Sequence, residues 1–251
     1  MSEPVLDVQD VYKIHRGGRD GSEEHTVLRG VNLRVGAGEF RCVMGPSGSG
    51  KTTLLHLLSG LDQPSAGKIL LGGVDLARAS EAERTRQRRD QVGYVFQFFH
   101  LMPNLTVEEN IALPVAIAGR QPRSAAARVR ELARILGIEE RLGALPHELS
   151  GGEMQRASIA RALIAEQPLL LCDEPTGNLS QSAGREVMEE LRRAVDEEGR
   201  TVVLVTHNPR DATFADRVSI LVDGVLDPDR DVVGPGISEA AVLAALDRAA
   251  V

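Results

Sequence analysis

Residues Gly45, Pro46, Ser47, Gly48, Ser49, Gly50, Lys51 and Thr52 spell the pattern GxxxxGK[ST]. No other stretch restricts the fold as strongly. An apolar strand, Glu39–Met44, precedes it, and Lys51–Ser59 reads as the helix that follows. Glycines let the backbone wrap a phosphate chain without side-chain clashes. The exposed N–H groups and the helix N-terminus then present partial positive charge to the anion. Lys51 adds a compact full charge at the outer phosphates. Thr52 offers a hydroxyl to Mg²⁺, and Thr53 completes the phosphate-binding candidates. Ordinary residue frequencies produce such a match in a chain of this length roughly 1% of the time. Lys51 is one of three lysines beside 26 arginines, which suits a point charge kept for this place. The loop alone says only that a nucleoside triphosphate binds; kinases, GTPases, helicases and transport ATPases all carry one.

The rest of the chain supplies a matching frame. Val5–Val11 and Leu28–Val35 read as strands, with a polar, Gly-rich excursion at Arg16–His25 between them. Lys68–Leu71 and Gln91–Phe96 are further strand candidates. From Thr106 to about Leu142 the pattern turns helical, punctuated by Pro114, Gly119, Pro122 and Gly137. A helix follows at about Gly152–Ala165, then a buried strand at Leu169–Asp173, a helix at Ser182–Asp196 and a strand at Thr201–Thr206. Ser238–Ala250 reads as a small amphipathic helix. Such alternation implies an α/β fold, a mainly parallel sheet with helices packed on it. The single domain expected over 1–251 carries a helical insert at about 98–165.

Two further segments narrow the chemistry. Leu169-Leu-Leu-Cys-Asp173-Glu174 is an apolar run ending in two acids. A buried strand can deliver Asp173 beside the phosphate loop, where it holds Mg²⁺ directly or through water. Glu174 points elsewhere by the two-residue period of a strand, toward an attacking water that it polarises as general base. Without the phosphate loop, two acids ending a strand would read equally well as a surface feature. Leu149-Ser150-Gly151-Gly152-Glu153 opens a helix, with Ser150 as N-cap and Glu153 at capping-box spacing. Two consecutive glycines there are wasteful unless something approaches the backbone closely.

Composition excludes some classes. The chain has 251 residues, 42% hydrophobic and 26% charged, with a net charge of −7. That balance suits no nucleic-acid coat or acidic membrane surface. The run Arg84, Arg86, Arg88 and Arg89 reads as a solvated helix face. Cys42 and Cys172 lie in apolar runs, as free core cysteines do. The start, MSEPVLDVQD, has no basic segment followed by an apolar stretch, so no secretory signal is expected. No run approaches the roughly 18 apolar residues of a membrane span.

The order GPSGSGKT, LSGGEMQR, LLLCDEPTGNL, then a histidine closing an apolar strand, resembles the ATP-binding subunits of ABC transporters, over roughly residues 4–225. The resemblance implies the ABC ATPase fold: a P-loop NTPase core, an N-terminal antiparallel β subdomain and a helical insert. It implies ATP and Mg²⁺ as cofactors. It also implies a head-to-tail homodimer in which each ATP lies between one subunit's phosphate loop and the other's helix start at Ser150, Gly151, Gly152 and Glu153. Tyr12 would stack on adenine. Gln97 would contact Mg²⁺ and water and sense the partner, and His207 would touch the γ-phosphate; alone, such a histidine is more often a satisfied loop residue.

VFQFFHLMPNLTVEENIALP and DEPTGNL resemble the branch serving lipoprotein release, macrolide and peptide export, and cell-division signalling. That implies a cytoplasmic protein held to the inner face of the membrane by a permease. Its dock would lie near Gln97, Phe98, Phe99, Leu101 and Met102, unless those side chains simply pack into the core. Ser180 stands where the family usually has an Asp that couples the two sites. DNA-repair and translation factors of ABC type add coiled coils, zinc modules or a second domain, which this chain lacks. An ATP-driven signalling clamp without transport would look the same in sequence.

Overall fold

The computed structural model describes residues 4–17 and 23–249. The centre of the excursion at Arg16–His25 and the last residue of the expected C-terminal helix lie outside the described residues. β1 (Leu6–Gly17) and β2 (Glu23–Val35) pair antiparallel, from Leu6 opposite Val35 to Gly17 opposite Glu23. Both strands outrun their apolar segments. The ladder continues through Ile14 opposite Thr26 and His15 opposite His25, so polarity there marks an exposed hairpin end rather than a break.

β3 (Phe40–Met44) leads through the glycine loop into α1 (Lys51–Leu58). β4 (Ala66–Leu71) and β5 (Val74–Asp75) complete the antiparallel sheet in the order β2-β1-β4-β5. Next come α2 (Glu81–Gln91) and β6 (Val92–Val95). Three helices follow, α3 (Val107–Ile117), α4 (Ala126–Ile135) and α5 (Gly151–Leu163). β7 (Leu169–Asp173), α6 (Gln181–Asp196), β8 (Thr201–Thr206) and the short α7 (Pro209–Ala212) continue the alternation. β9 (Arg217–Val222), β10 (Val225–Leu226), β11 (Val232–Val233) and α8 (Glu239–Ala249) end the chain. The second sheet runs β10-β9-β3-β8-β7-β6, with β11 on β9. From β9 to β6 its strands are parallel.

Every residue of β3, β7 and β8 is buried, as a parallel sheet covered on both faces requires. Alternate residues go to opposite layers. Phe40, Cys42 and Met44 join Leu170, Cys172, Val202 and Leu204 in the core under α3–α6 and α8. Val43, Leu169, Leu171, Val203 and Val205 join the core shared with α1 and the antiparallel sheet. Both cysteines are free and buried. Among the described residues no helix is long and apolar enough to cross a membrane.

Some expectations need correction. Arg84 does not lie on a solvated face. It is 8% exposed, donating to Ala79 O and Glu81 at 2.7 Å each. Arg88 is half-buried and donates to Gly60 O; Arg86 and Arg89 do face solvent. The arginine stems bury because α2 packs on β6 and on the loop after α1. Pro114 lies inside α3 rather than ending it, and Gly119 and Gly137, at φ +76° and +65°, follow α3 and α4 as left-handed stops. β5, β9, β10 and β11 had no sequence expectation. Three of them are two residues long, too short to show a period, and β9 is defined by its pairing with β3.

β6 crosses α5 too closely for a side chain at Gly93. A Cβ there would meet the Ala162 carbonyl oxygen and lie 2.7 Å from Leu170 Cδ2. Gly93→Ala is expected to destabilise the fold by about 1–3 kcal/mol through overpacking, read as a lowered denaturant midpoint with unchanged slope.

Candidate active site

The phosphate loop is held from behind by backbone. A Cβ at Gly45 would strike the Leu221 carbonyl on β9. One at Gly50 would lie 2.9 Å from Leu28 Cδ2 and 3.1 Å from Val27 O on β2, and Gly50 has φ +102°. Only glycine meets both demands. Pro46, Ser47 and Gly48 form the exposed tip, closed by Ser49 N donating to Pro46 O at 3.2 Å. Gly50 caps α1 without a side-chain bond, and the first turn holds no acid. The helix N-terminus is therefore free for an anion.

Lys51 is 7% exposed, and its Nζ donates to Gly45 O and Pro46 O at 2.9 Å each. Burial depresses its pKa, while Glu174 and Asp173 pull it back up. The ammonium thus rests on neutral carbonyls that phosphate oxygens can replace. Among the described residues Ser49 Oγ is buried with no hydrogen-bond partner, and it lies beside Gly45. Thr52 is exposed at the helix start, with Thr53 half-buried behind it. This donor set fits a polyphosphate.

Three strand ends meet here. The register sets Met44 beside Thr206, and Val205 beside Asp173, so the loops after β3, β8 and β7 start abreast. Asp173 is 3% exposed and accepts from Thr52 Oγ1 at 3.2 Å. Burial raises its pKa, against the Thr52 hydrogen bond. Glu174 diverges from Asp173 differently from the expected strand alternation. It has left β7 and turned at φ +44°, with its N–H donating to Val205 O at 2.9 Å. Its Oε1 lies 2.9 Å from His207 Nδ1. The glutamate side chain is 16% exposed and the histidine 59%, so the pair opens to solvent on the histidine side. A buried carboxylate bonded to Thr52 thus stands next to an accessible carboxylate–imidazole pair.

Ser150 caps α5 in a full capping box. Its Oγ accepts from Glu153 N at 3.3 Å, and Glu153 accepts from Ser150 N at 2.7 Å. These bonds and Arg141 hold the Glu153 carboxyl at about 2. Among the described residues no hydrogen bond joins this helix start to the phosphate loop. Gly151 and Gly152 face Phe99 and Leu179 instead. Tyr12 is exposed on β1, in the antiparallel sheet, where Gly30 leaves room for its ring.

Gln97 is exposed, and its carbonyl accepts from Asn178 Nδ2 at 3.4 Å. The neighbouring cluster splits. Phe98 is 68% exposed and Met102 46%, whereas Leu101 packs on the core and Phe99 is half-buried. Met102 borders a cleft of about 480 Å³ with Tyr94, Phe96, His100 and Ile117. Arg161 on α5 donates to Phe99 O at 2.9 Å and His100 O at 2.6 Å, and Gln155 donates to Pro175 O at 2.9 Å. The sequence alone marks no role for Gln155, Arg161, Thr176, Thr206 or Asp211. Their importance lies in contacts between distant segments.

The family model "ABC transporter" matches residues 28–177. The lipoprotein-releasing system ATP-binding protein LolD 2 of Caulobacter vibrioides is 46% identical over 233 residues, 92% of this chain and 100% of that protein. LolD of Geobacter metallireducens is 45% identical over 88% of this chain and 96% of its own. The ATP-binding cassette MJ0796, solved as a post-hydrolysis dimer bound to ADP and Pi, superposes with a TM-score of 0.84 at 36% identity, over 92% of this chain and all of that one. A second dimeric structure of MJ0796, described as a bacterial ABC transporter cassette, gives 0.86 at 37%, over the same shares. The match takes in the phosphate loop, the capped glycine helix and the acidic strand end, and the chain belongs to the ATP-binding proteins of ABC transporters.

Proposed function

We propose that this chain is the ATPase of a lipoprotein-releasing transporter, working as a homodimer held to the cytoplasmic face of a membrane by its permease. The observation that carries the reading is the contact of Glu174 with His207 beside the Thr52–Asp173 bond. The lipoprotein assignment rests on the names of relatives that match nearly end to end.

The residues divide the work. Lys51 leaves the Gly45 and Pro46 carbonyls for the outer phosphates, and the backbone from Gly45 to Gly50 wraps the rest. Tyr12 holds adenine. Thr52, Asp173 and Gln97 would hold Mg²⁺, which when bound neutralises charge on the β- and γ-phosphate oxygens. Glu174 takes the proton of the attacking water, and His207 holds its carboxylate and reaches the γ-phosphate. The partner copy's Ser150–Glu153 helix start covers the same ATP in trans. Closure and reopening of the dimer are then a ligand-driven population shift. The permease feels them at the exposed Phe98 and Met102, beside Gln97.

Glu174→Gln tests the chemistry. It is expected to bind ATP and dimerise, with turnover lowered about 10²–10⁴-fold; wild-type-like turnover would remove Glu174 as the base. Trapped with ATP in its source cell, this variant should co-purify a permease. Adding Phe98→Asp and Met102→Asp should abolish that capture, and undiminished capture moves the dock elsewhere. Ser180 caps α6 by accepting from Ala183 N at 3.3 Å. Asp caps a helix as well as Ser does, so Ser180→Asp changes charge and reach while keeping the cap. Steady-state kinetics should show faster turnover or stronger coupling between the two sites; no change in either refutes a role for position 180.

A further inference from the structure

Asp211 lies in α7, four residues past His207, and is 5% exposed. Its Oδ2 accepts from Thr176 Oγ1 and, at 3.3 Å, from Thr206 Oγ1. Its Oδ1 accepts from Asn208 Nδ2 at 3.1 Å. Among the described residues no cation pairs with it, so this buried carboxylate is satisfied by neutral donors alone. Burial raises its pKa, against the two threonine hydrogen bonds. An arrangement that costs desolvation and forms no ion pair calls for a reason other than charge pairing.

The donors supply the reason. Thr176 stands two residues after Glu174, and Thr206 immediately precedes His207. One carboxylate oxygen therefore grips both chain segments that present the Glu174–His207 pair. Thr176 is itself seated by a gap in α6, because a Cβ at Gly184 would lie 3.3 Å from Thr176 Cβ. Thr206 Oγ1 also accepts from Asn208 N at 3.0 Å, which fixes the turn behind the imidazole. Glu174 holds a left-handed backbone at φ +44°. A non-glycine residue keeps such a conformation only where its surroundings over-determine it.

We propose that Asp211 is a positioning residue for ATP hydrolysis, holding Glu174 and His207 together through Thr176 and Thr206. It acts through the two threonines and not on the nucleotide itself. The inference rests on the roles given to Glu174 and His207 above. Loosening the clasp leaves ATP binding by the phosphate loop intact and misplaces the base, so kcat falls while KM stays.

The test uses the whole chain and three variants. Thr176→Val removes one donor at nearly constant shape. Asp211→Asn removes the charge and one accepting oxygen. Thr176→Ser restores the hydroxyl. The first two should lower kcat about tenfold, since small misplacements at a reacting centre cost up to about 10²-fold, with KM for ATP changed less than about twofold. Thr176→Ser should return to near wild type. In ¹⁵N-labelled protein, the His207 Nδ1 signal, identified by the shift that Glu174→Gln causes, should move the same way in Thr176→Val and Asp211→Asn. Unchanged kcat in both variants overturns the proposal. So does a fall in kcat with the His207 signal unmoved, because the clasp would then act on stability alone. Wild-type-like turnover by Glu174→Gln instead removes the site assignment on which the clasp depends.

Discussion

Where a side chain at Gly45 would stand, the carbonyl of Leu221 already stands, and behind Gly50 a Cβ would lie 2.9 Å from Leu28 Cδ2 and 3.1 Å from Val27 O. Backbone from β9 and β2, with the Leu28 side chain, thus fills the rear of the phosphate loop. The rest of the molecule is arranged about that constraint. β3 must be central to bring β9 to one side, and the antiparallel sheet must fold over α1 to bring β2 to the other. Lys51 completes the loop by resting on its carbonyls. The lysine charge is thereby retained in a mostly buried place without an acid that a phosphate would have to displace.

Parallel register does the next part. With Met44 beside Thr206 and Val205 beside Asp173, three loops leave the carboxyl edge of one sheet side by side, the usual place for ligands in such sheets. Adjacent acids acquire different settings from a single backbone turn. Asp173 stays within β7, buried and bonded to Thr52, while Glu174 leaves through a left-handed residue and meets His207. Polar bonds then connect this edge to the helical layer. Gln155 reaches Pro175, Asn178 reaches Gln97, and Arg161 reaches the carbonyls of Phe99 and His100. One helix, α5, carries the capped glycine start and also touches both the turn after β7 and the loop beside the exposed Phe98 and Met102.

Local information sufficed for much of this. The phosphate loop is defined by spacing within eight residues, the capping box of α5 by spacing within four, and β7 and β8 by unbroken apolar runs of the kind that doubly covered strands carry. These features rest on short-range sterics, hydrogen bonding and periodicity, so the sequence by itself determined them and the α/β class that follows. Tertiary structure alone decided the burial of Arg84, the split of the Phe98–Met102 segment between surface and core, the left-handed turn at Glu174 and the link that Asp211 makes between Thr206 and the distant Thr176. Each depends in part on contacts between residues tens of positions apart, such as Arg88 with Gly60, Arg161 with Phe99, Glu174 with His207 and Asp211 with Thr176. Which side chains lose water, and which donors a buried carboxylate finds, is settled only when the sheets and helices have closed on one another.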